Sequence, residues 1–203
     1  MSRVLRVGVL ASGRGTNLQA LLDAGSRPDF PAVVGVVISD REDSRALARA
    51  RAAGVTALFI SPKDHSDRSA YEAVLTKRLQ ASDVGLVCLA GFMRILGSAF
   101  VRAWQGRLMN IHPSLLPAFP GLNAQRQALD HGARITGATV HFVDEGVDTG
   151  PIVLQAAVPV HATDTEETLA ARILVEEHRI YPEAVRLFAE GRIQVSGRKV
   201  TVR

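Results

Sequence analysis

Four short, unbroken apolar runs constrain this chain most: Val7–Leu10, Val33–Ile38, Ala57–Ile60 and Gly85–Leu89, each bounded by turn residues. Such runs read as strands buried on both faces. Helical patterns fill the intervals at about 16–24, 44–53 and 66–81, the last with a cap read at Ser66. Strands that alternate with helices in this way form βαβ units, a parallel sheet with right-handed crossovers. The expected fold is therefore α/β, an open, mostly parallel sheet with helices on both faces and a Rossmann-like N-terminal half.

The second half reads differently. A fifth strand at Leu108–Ile111 runs into a loop with Pro113, Pro117 and Pro120, which can be neither helix nor central strand. A helix is expected at about 123–131, strands at Thr136–Val143 and Ile152–Val158 as an antiparallel addition, and a long helix at about 165–189. The organisation expected is one domain over 1–203, with a nucleotide-binding half at 1–106 and a folate-binding, catalytic half at 107–203.

Composition narrows the classes. The 203 residues are 47% hydrophobic and 22% charged, an ordinary globular balance. The net charge of +4 is carried by Arg192, Arg198, Lys199 and Arg203 near the C-terminus, which reads as a solvated hairpin; no nucleic-acid partner is expected. Cys88 stands alone in an apolar run, which leaves no disulfide framework and reads as core. No stretch reaches the ~20 apolar residues of a membrane span. The N-terminal run Met1–Arg6 enters a strand pattern without a leader's apolar region, so a cytoplasmic protein acting on small molecules is expected.

Two motifs carry the chemistry. The turn Ser12-Gly13-Arg14-Gly15-Thr16-Asn17-Leu18 stands where the first strand hands over to the first helix. Glycines admit a phosphate close to the backbone, and the helix N-terminus offers N–H groups and a positive dipole end. Leu18 replaces the third glycine of a dinucleotide fingerprint, which suits a phosphate monoester better than a pyrophosphate. The turn alone also fits a ligand-free turn capped by Thr16, and Asp40 at the end of the second strand leaves a ribose-binding acid open.

The second motif is Asn110-Ile111-His112-Pro113-Ser114, at the C-terminal end of a strand, where open α/β sheets place their sites. Asn110 and His112, two apart, share a strand face. An amide can donate to a developing oxyanion, and an imidazole can polarise or protonate the same centre. A histidine in that role needs an orienting acid, and Asp148 in the glycine-rich turn Asp144–Gly150 is the candidate, expected to raise the imidazole pKa. Taken alone, these residues read first as a core histidine and a turn-forming aspartate.

The run Asn110–Pro117, with Asp148 downstream, resembles the signature of the folate-dependent formyltransferases. Gly13–Gln19 and Ala90–Leu96 narrow the resemblance, which extends from about 7 to about 195, to the branch that formylates glycinamide ribonucleotide. The resemblance implies a seven-stranded, mostly parallel sheet. It implies transfer of the formyl group of 10-formyltetrahydrofolate, as co-substrate, to that amine in purine synthesis, with no metal and no nicotinamide. By the same resemblance Gly15, Thr16 and Asn17 bind the ribonucleotide phosphate and Glu177 its glycinamide end. Arg68, Met93, Arg94, Ile95, Leu96, Asn110 and the turn Asp144, Glu145, Gly146, Val147, Asp148 hold the folate. Asn110, His112 and Asp148 are then catalytic, and His141 is read as a structural histidine beside them. Asn123 and Gln125 stand where some relatives have histidines, which bears on an accessory folate contact only.

Related formyltransferases add a C-terminal barrel or an N-terminal regulatory domain, and neither is expected here. A nucleotide-binding module or dehydrogenase without transferase chemistry would instead bind nicotinamide. The oligomeric expectation is a monomer or homodimer.

Overall fold

The computed structural model describes residues 4–203. The first three residues of the run read as lacking a leader lie outside the described residues. Seven strands form one sheet: β1 (Leu5–Leu10), β2 (Ala32–Ser39), β3 (Thr56–Phe59), β4 (Leu86–Leu89), β5 (Leu108–His112), β6 (Ile135–Phe142) and β7 (Ile152–Pro159), in the order β3-β2-β1-β4-β5-β6-β7. The β1–β2, β2–β3 and β1–β4 pairs are parallel, and β6–β7 is antiparallel. The fold is the α/β, mostly parallel seven-stranded sheet expected. Two compact units divide the chain, Met1–Met109 and Asn110–Arg203.

In the first unit the crossovers are α1 (Thr16–Gly25), α2 (Arg45–Ala52) and α3 (Arg68–Ala81), with a short α4 (Ser98–Ala103) before β5. Strand order reverses direction at β1, whose neighbours are β2 and β4. That reversal opens a crevice beyond the strands' C-terminal ends, where ligands of such sheets bind. Val9, Leu10, Val37, Ile38, Leu86 and Cys88 are fully buried, as continuous apolar strands require. Three details differ from the sequence reading. β3 is the sheet edge and half exposed, with Phe59 40% accessible, because nothing pairs with its outer side. The cap of α3 is Asp67, whose carboxylate accepts from the Ala70 N–H at 2.8 Å; Ser66 donates to Asp67 instead. α4 is too short to show a helical period and had no sequence signal.

In the second unit α5 (Ala124–Asp130) precedes the β6–β7 pair, and α6 (Glu166–Ala189) carries the unit's main apolar stripe. Leu169, Ile173, Ile180, Tyr181, Ala184 and Val185 recur at helical spacing and are buried. Each large apolar side chain so placed contributes roughly 1.5–3 kcal/mol. Thr165 and Thr168 form a reciprocal capping box at its start. The basic tail is an exposed hairpin of β8 (Ile193–Ser196) and β9 (Lys199–Val202). Among the described residues no helix is long and apolar enough to cross a membrane.

Candidate active site

The glycine-rich turn follows β1 directly. Gly15, the residue before α1, has φ 69° and ψ 30°, a left-handed conformation that costs a side chain and suits glycine. A Cβ there would also lie 2.8 Å from the Ala46 Cα. The capping alternative for Thr16 is not what forms: no side chain caps α1. Gly15 itself brings no side chain to the N-terminal amides of that ten-residue helix. The turn itself is tightly held. Gly13 O accepts from the Ser44 hydroxyl at 3.1 Å and from the Ala46 N–H at 3.2 Å, and Arg14 O accepts from Arg49 Nε at 3.0 Å. Ser44 caps α2 through the same hydroxyl.

The turn after β4 carries Met93, Arg94, Ile95 and Leu96. Met93 and Ile95 are 69% and 72% accessible, so neither is core. The frame beneath them is polar and ordered. The Met93 N–H donates to Ser12 Oγ at 2.9 Å, and the Gly97 N–H donates to Glu72 Oε1 at 2.8 Å. Arg94 lies over the Tyr71 ring, 5.7 Å from its centroid, with Nη1 3.9 Å from Asp40 Oδ2. Asp40 thus faces an arginine of its own unit through Oδ2, while its buried Oδ1 has no hydrogen-bond partner among the described residues. Burial, with the neighbouring charge of Asp40, raises the Tyr71 phenol far above its ordinary value. Arg68 extends an exposed side chain at the start of α3, 3.9 Å from Glu72.

In the second unit Asn110 and His112 converge on one group, as their spacing requires. His112 is buried; its Nδ1 lies 3.2 Å from Asp148 Oδ2 and its Nε2 donates to the Phe119 carbonyl at 2.9 Å. His141 Nδ1 donates to Phe142 O at 2.8 Å. Its Nε2 lies 3.2 Å from Asn110 Nδ2 and 3.5 Å from Asp148 Oδ1. His141 thus bridges Asn110 and Asp148. The Gly121 N–H donates to Asp148 Oδ2 at 2.8 Å, joining the proline loop to the aspartate. Asp148 holds φ 54° and Phe119 φ 53°, left-handed conformations that non-glycine residues adopt at a cost.

The electrostatics correct one expectation. Burial is the largest influence on His112 and lowers its pKa below the ordinary 6.5, although the Phe119 carbonyl and the Asp148 charge both pull it upward. An upward shift by Asp148 was expected, but the cost of burying the cation outweighs it. For Asp148 burial raises the pKa, yet the His141 hydrogen bond, the Gly121 N–H and the His112 charge together carry it below its ordinary value. Asp148 is an anion at neutral pH, beside a histidine that is mostly neutral there.

Glu177 is buried on α6 between Ile173 and Ile180, in a stripe that packing alone would give to an aliphatic residue. Its neighbour Glu176 forms the surface ion pair, 2.6 Å from Arg179. Asp144 closes its own turn, accepting from the Gly146 N–H at 3.1 Å and the Thr149 hydroxyl at 2.6 Å; Glu145, Gly146 and Val147 are exposed at its tip. The Phe119 carbonyl, the Gly121 amide and the Ser12 hydroxyl bond His112, Asp148 and the Met93 amide, partners that no sequence motif announces. Among the described residues there is no group of three or more His, Cys, Asp and Glu able to hold a metal.

Comparison with known proteins bears on this arrangement. The formyl transferase family model matches residues 5–185. The chain is 52% identical over 193 residues to the trifunctional purine biosynthetic protein adenosine-3 of Drosophila melanogaster, covering 94% of this chain and 14% of that protein. It spans about a seventh of that relative's length. It is 44% identical over 191 residues to the phosphoribosylglycinamide formyltransferase of Escherichia coli strain K12, covering 94% of this chain and 90% of the relative. The crystal structure of glycinamide ribonucleotide transformylase 1 from Symbiobacterium toebii superposes with a TM-score of 0.97 at 58% identity, covering 100% of this chain and 95% of that one. With this match over most of its length, the chain belongs to the formyl transferase family and, within it, to the phosphoribosylglycinamide formyltransferases.

Proposed function

We propose that this protein transfers the formyl group of 10-formyltetrahydrofolate to the amine of glycinamide ribonucleotide, releasing tetrahydrofolate. One observation carries the reading: Asn110, His112 and Asp148 stand together, with His112 Nδ1 3.2 Å from Asp148 and His141 Nε2 against both Asn110 and Asp148, in a chain of the formyl transferase family.

The residues divide the chemistry as follows. The amine attacks the formyl carbon, and the formyl oxygen gains negative charge. Asn110 has a second Nδ2–H beyond the one directed at His141, and that N–H stabilises the oxyanion. With substrate in place of the Phe119 carbonyl at Nε2, His112 takes there the proton that the attacking amine must lose and passes it to the folate nitrogen as the carbon–nitrogen bond breaks, its other proton lying on Nδ1 toward Asp148. Asp148 supports the transient imidazolium, which burial would otherwise disfavour. Gly15, Thr16 and Asn17 hold the ribonucleotide phosphate at the uncapped start of α1. Glu177 binds the glycinamide end. Arg68, Met93–Leu96 and the Asp144–Asp148 turn hold the folate, with Met93 and Ile95 offering the apolar surface that a pterin ring requires. This reading gives the first unit the phosphate and part of the folate, and the second unit the catalysis. No resident metal or nicotinamide takes part.

The test mixes the purified chain with both substrates and follows tetrahydrofolate release by absorbance. Release that depends on both the enzyme and the ribonucleotide supports the reading. Release at the same rate without the ribonucleotide overturns it.

A further inference from the structure

The two turns that the proposed function assigns to different substrates are stitched together by one residue. β1 and β4 are paired in parallel through Leu10 and Leu89, and their bonding continues past the strand ends. The Ala90 N–H donates to Leu10 O at 2.9 Å, and the Ser12 N–H donates to Gly91 O at 3.0 Å. The Met93 N–H then donates to Ser12 Oγ at 2.9 Å. Ser12 is 3% accessible and immediately precedes Gly13. Its backbone N–H and its hydroxyl therefore hold the Gly91 carbonyl and the Met93 amide, on either side of Phe92. Gly91 has φ 72°, so the gripped turn reverses sharply at a residue that tolerates it.

The rest of the glycine-rich turn is equally constrained. Ser44, the Ala46 amide and Arg49 hold the carbonyls of Gly13 and Arg14, and Ala46 packs against Gly15. A phosphate that draws the amides of residues 15–17 toward itself acts on a segment with little slack. A displacement of that segment therefore passes into the Ser12 peptide, and whatever moves Ser12 moves the Met93 amide. The exposed Met93 and Ile95 side chains stand on that amide's turn.

We infer that Ser12 is a positioning residue that couples the two turns, so that a phosphate at residues 15–17 orders the 91–96 turn for the folate. The inference rests on the proposed assignment of those turns. Coupling of this kind is reciprocal: the folate tightens ribonucleotide binding by the factor with which the ribonucleotide tightens the folate. A single hydrogen-bonded link gives a factor of about five.

Amide hydrogen exchange of the whole protein, resolved by residue, tests it with glycinamide ribonucleotide alone and no folate. In the wild type, ribonucleotide should protect the Thr16 and Asn17 amides and slow exchange at Met93 by about fivefold. In Ser12→Ala, Thr16 and Asn17 should still be protected while the slowing at Met93 is lost. Ser12→Thr keeps an acceptor and should keep the response. An unchanged Met93 in the wild type overturns the coupling. A response that survives in Ser12→Ala, or that Ser12→Thr loses as Ala does, overturns the hydroxyl as its carrier. No protection at Thr16 and Asn17 in the wild type overturns the phosphate assignment first and the coupling with it, which separates the two failures.

Discussion

At the residue scale, His112 has an oxygen at each ring nitrogen and almost no water. The two oxygens favour the imidazolium, and burial favours the neutral ring more strongly. A base kept neutral until a proton arrives is the state that formyl transfer needs at its start. The sign follows from the direction of the shift. His112 should titrate below 6.5 in the folded protein, so the acid limb of kcat/KM lies below that value and activity falls as pH drops through it. Asp148→Asn removes an upward influence, so the His112 pKa should move lower still, and kcat should fall on the order of 10²–10³ with the ribonucleotide KM little changed. Imidazole NMR titration of the two proteins checks the direction. A His112 pKa that rises in Asp148→Asn would contradict the assignment. Asn110→Ala and His112→Ala should each cost on the order of 10²–10³ in kcat. The double variant should lose less than the product of the two, because both serve the same tetrahedral step. Losses that multiply in full would mean independent roles.

At the element scale, the turns do the positioning. Gly15 meets two demands at once, a left-handed φ and a 2.8 Å approach to the Ala46 backbone. Gly15→Val should therefore raise the ribonucleotide KM sharply and leave folate binding nearly intact, measured by titrating each ligand separately; equal damage to both would contradict the phosphate assignment. The strands and long helices were legible because apolar runs and helical periods are local signals. Asn110 and His112 were legible as a pair because two-residue spacing puts them on one strand face. The downward shift of His112 was not, since burial depends on what the Asp144–Gly150 turn and the proline loop bring around the ring. Nor was the bridging place of His141, set by the pairing of β6 with β7. Ser12 sits in a motif read for its glycines, and its partner Met93 lies 81 residues along the chain. Long-range backbone bonds of that sort leave no pattern in residue types.

At the scale of the whole molecule, the sheet supplies the chemistry's addresses. The reversal of strand order at β1 brings the turns after β1 and β4 together, and β5 ends in the Asn110–His112 pair. Glu177 reaches its buried position because it follows the helical period of α6 rather than its charge. Formyl transfer and formyl hydrolysis differ only in whether an amine or water attacks the same carbon, so the acceptor is the central claim. The direct measurement follows label from formyl-labelled 10-formyltetrahydrofolate with glycinamide ribonucleotide present and absent. The account requires label in the ribonucleotide, none released as formate, and no turnover without the amine. Label released as formate at the same rate whether or not the ribonucleotide is present would contradict it.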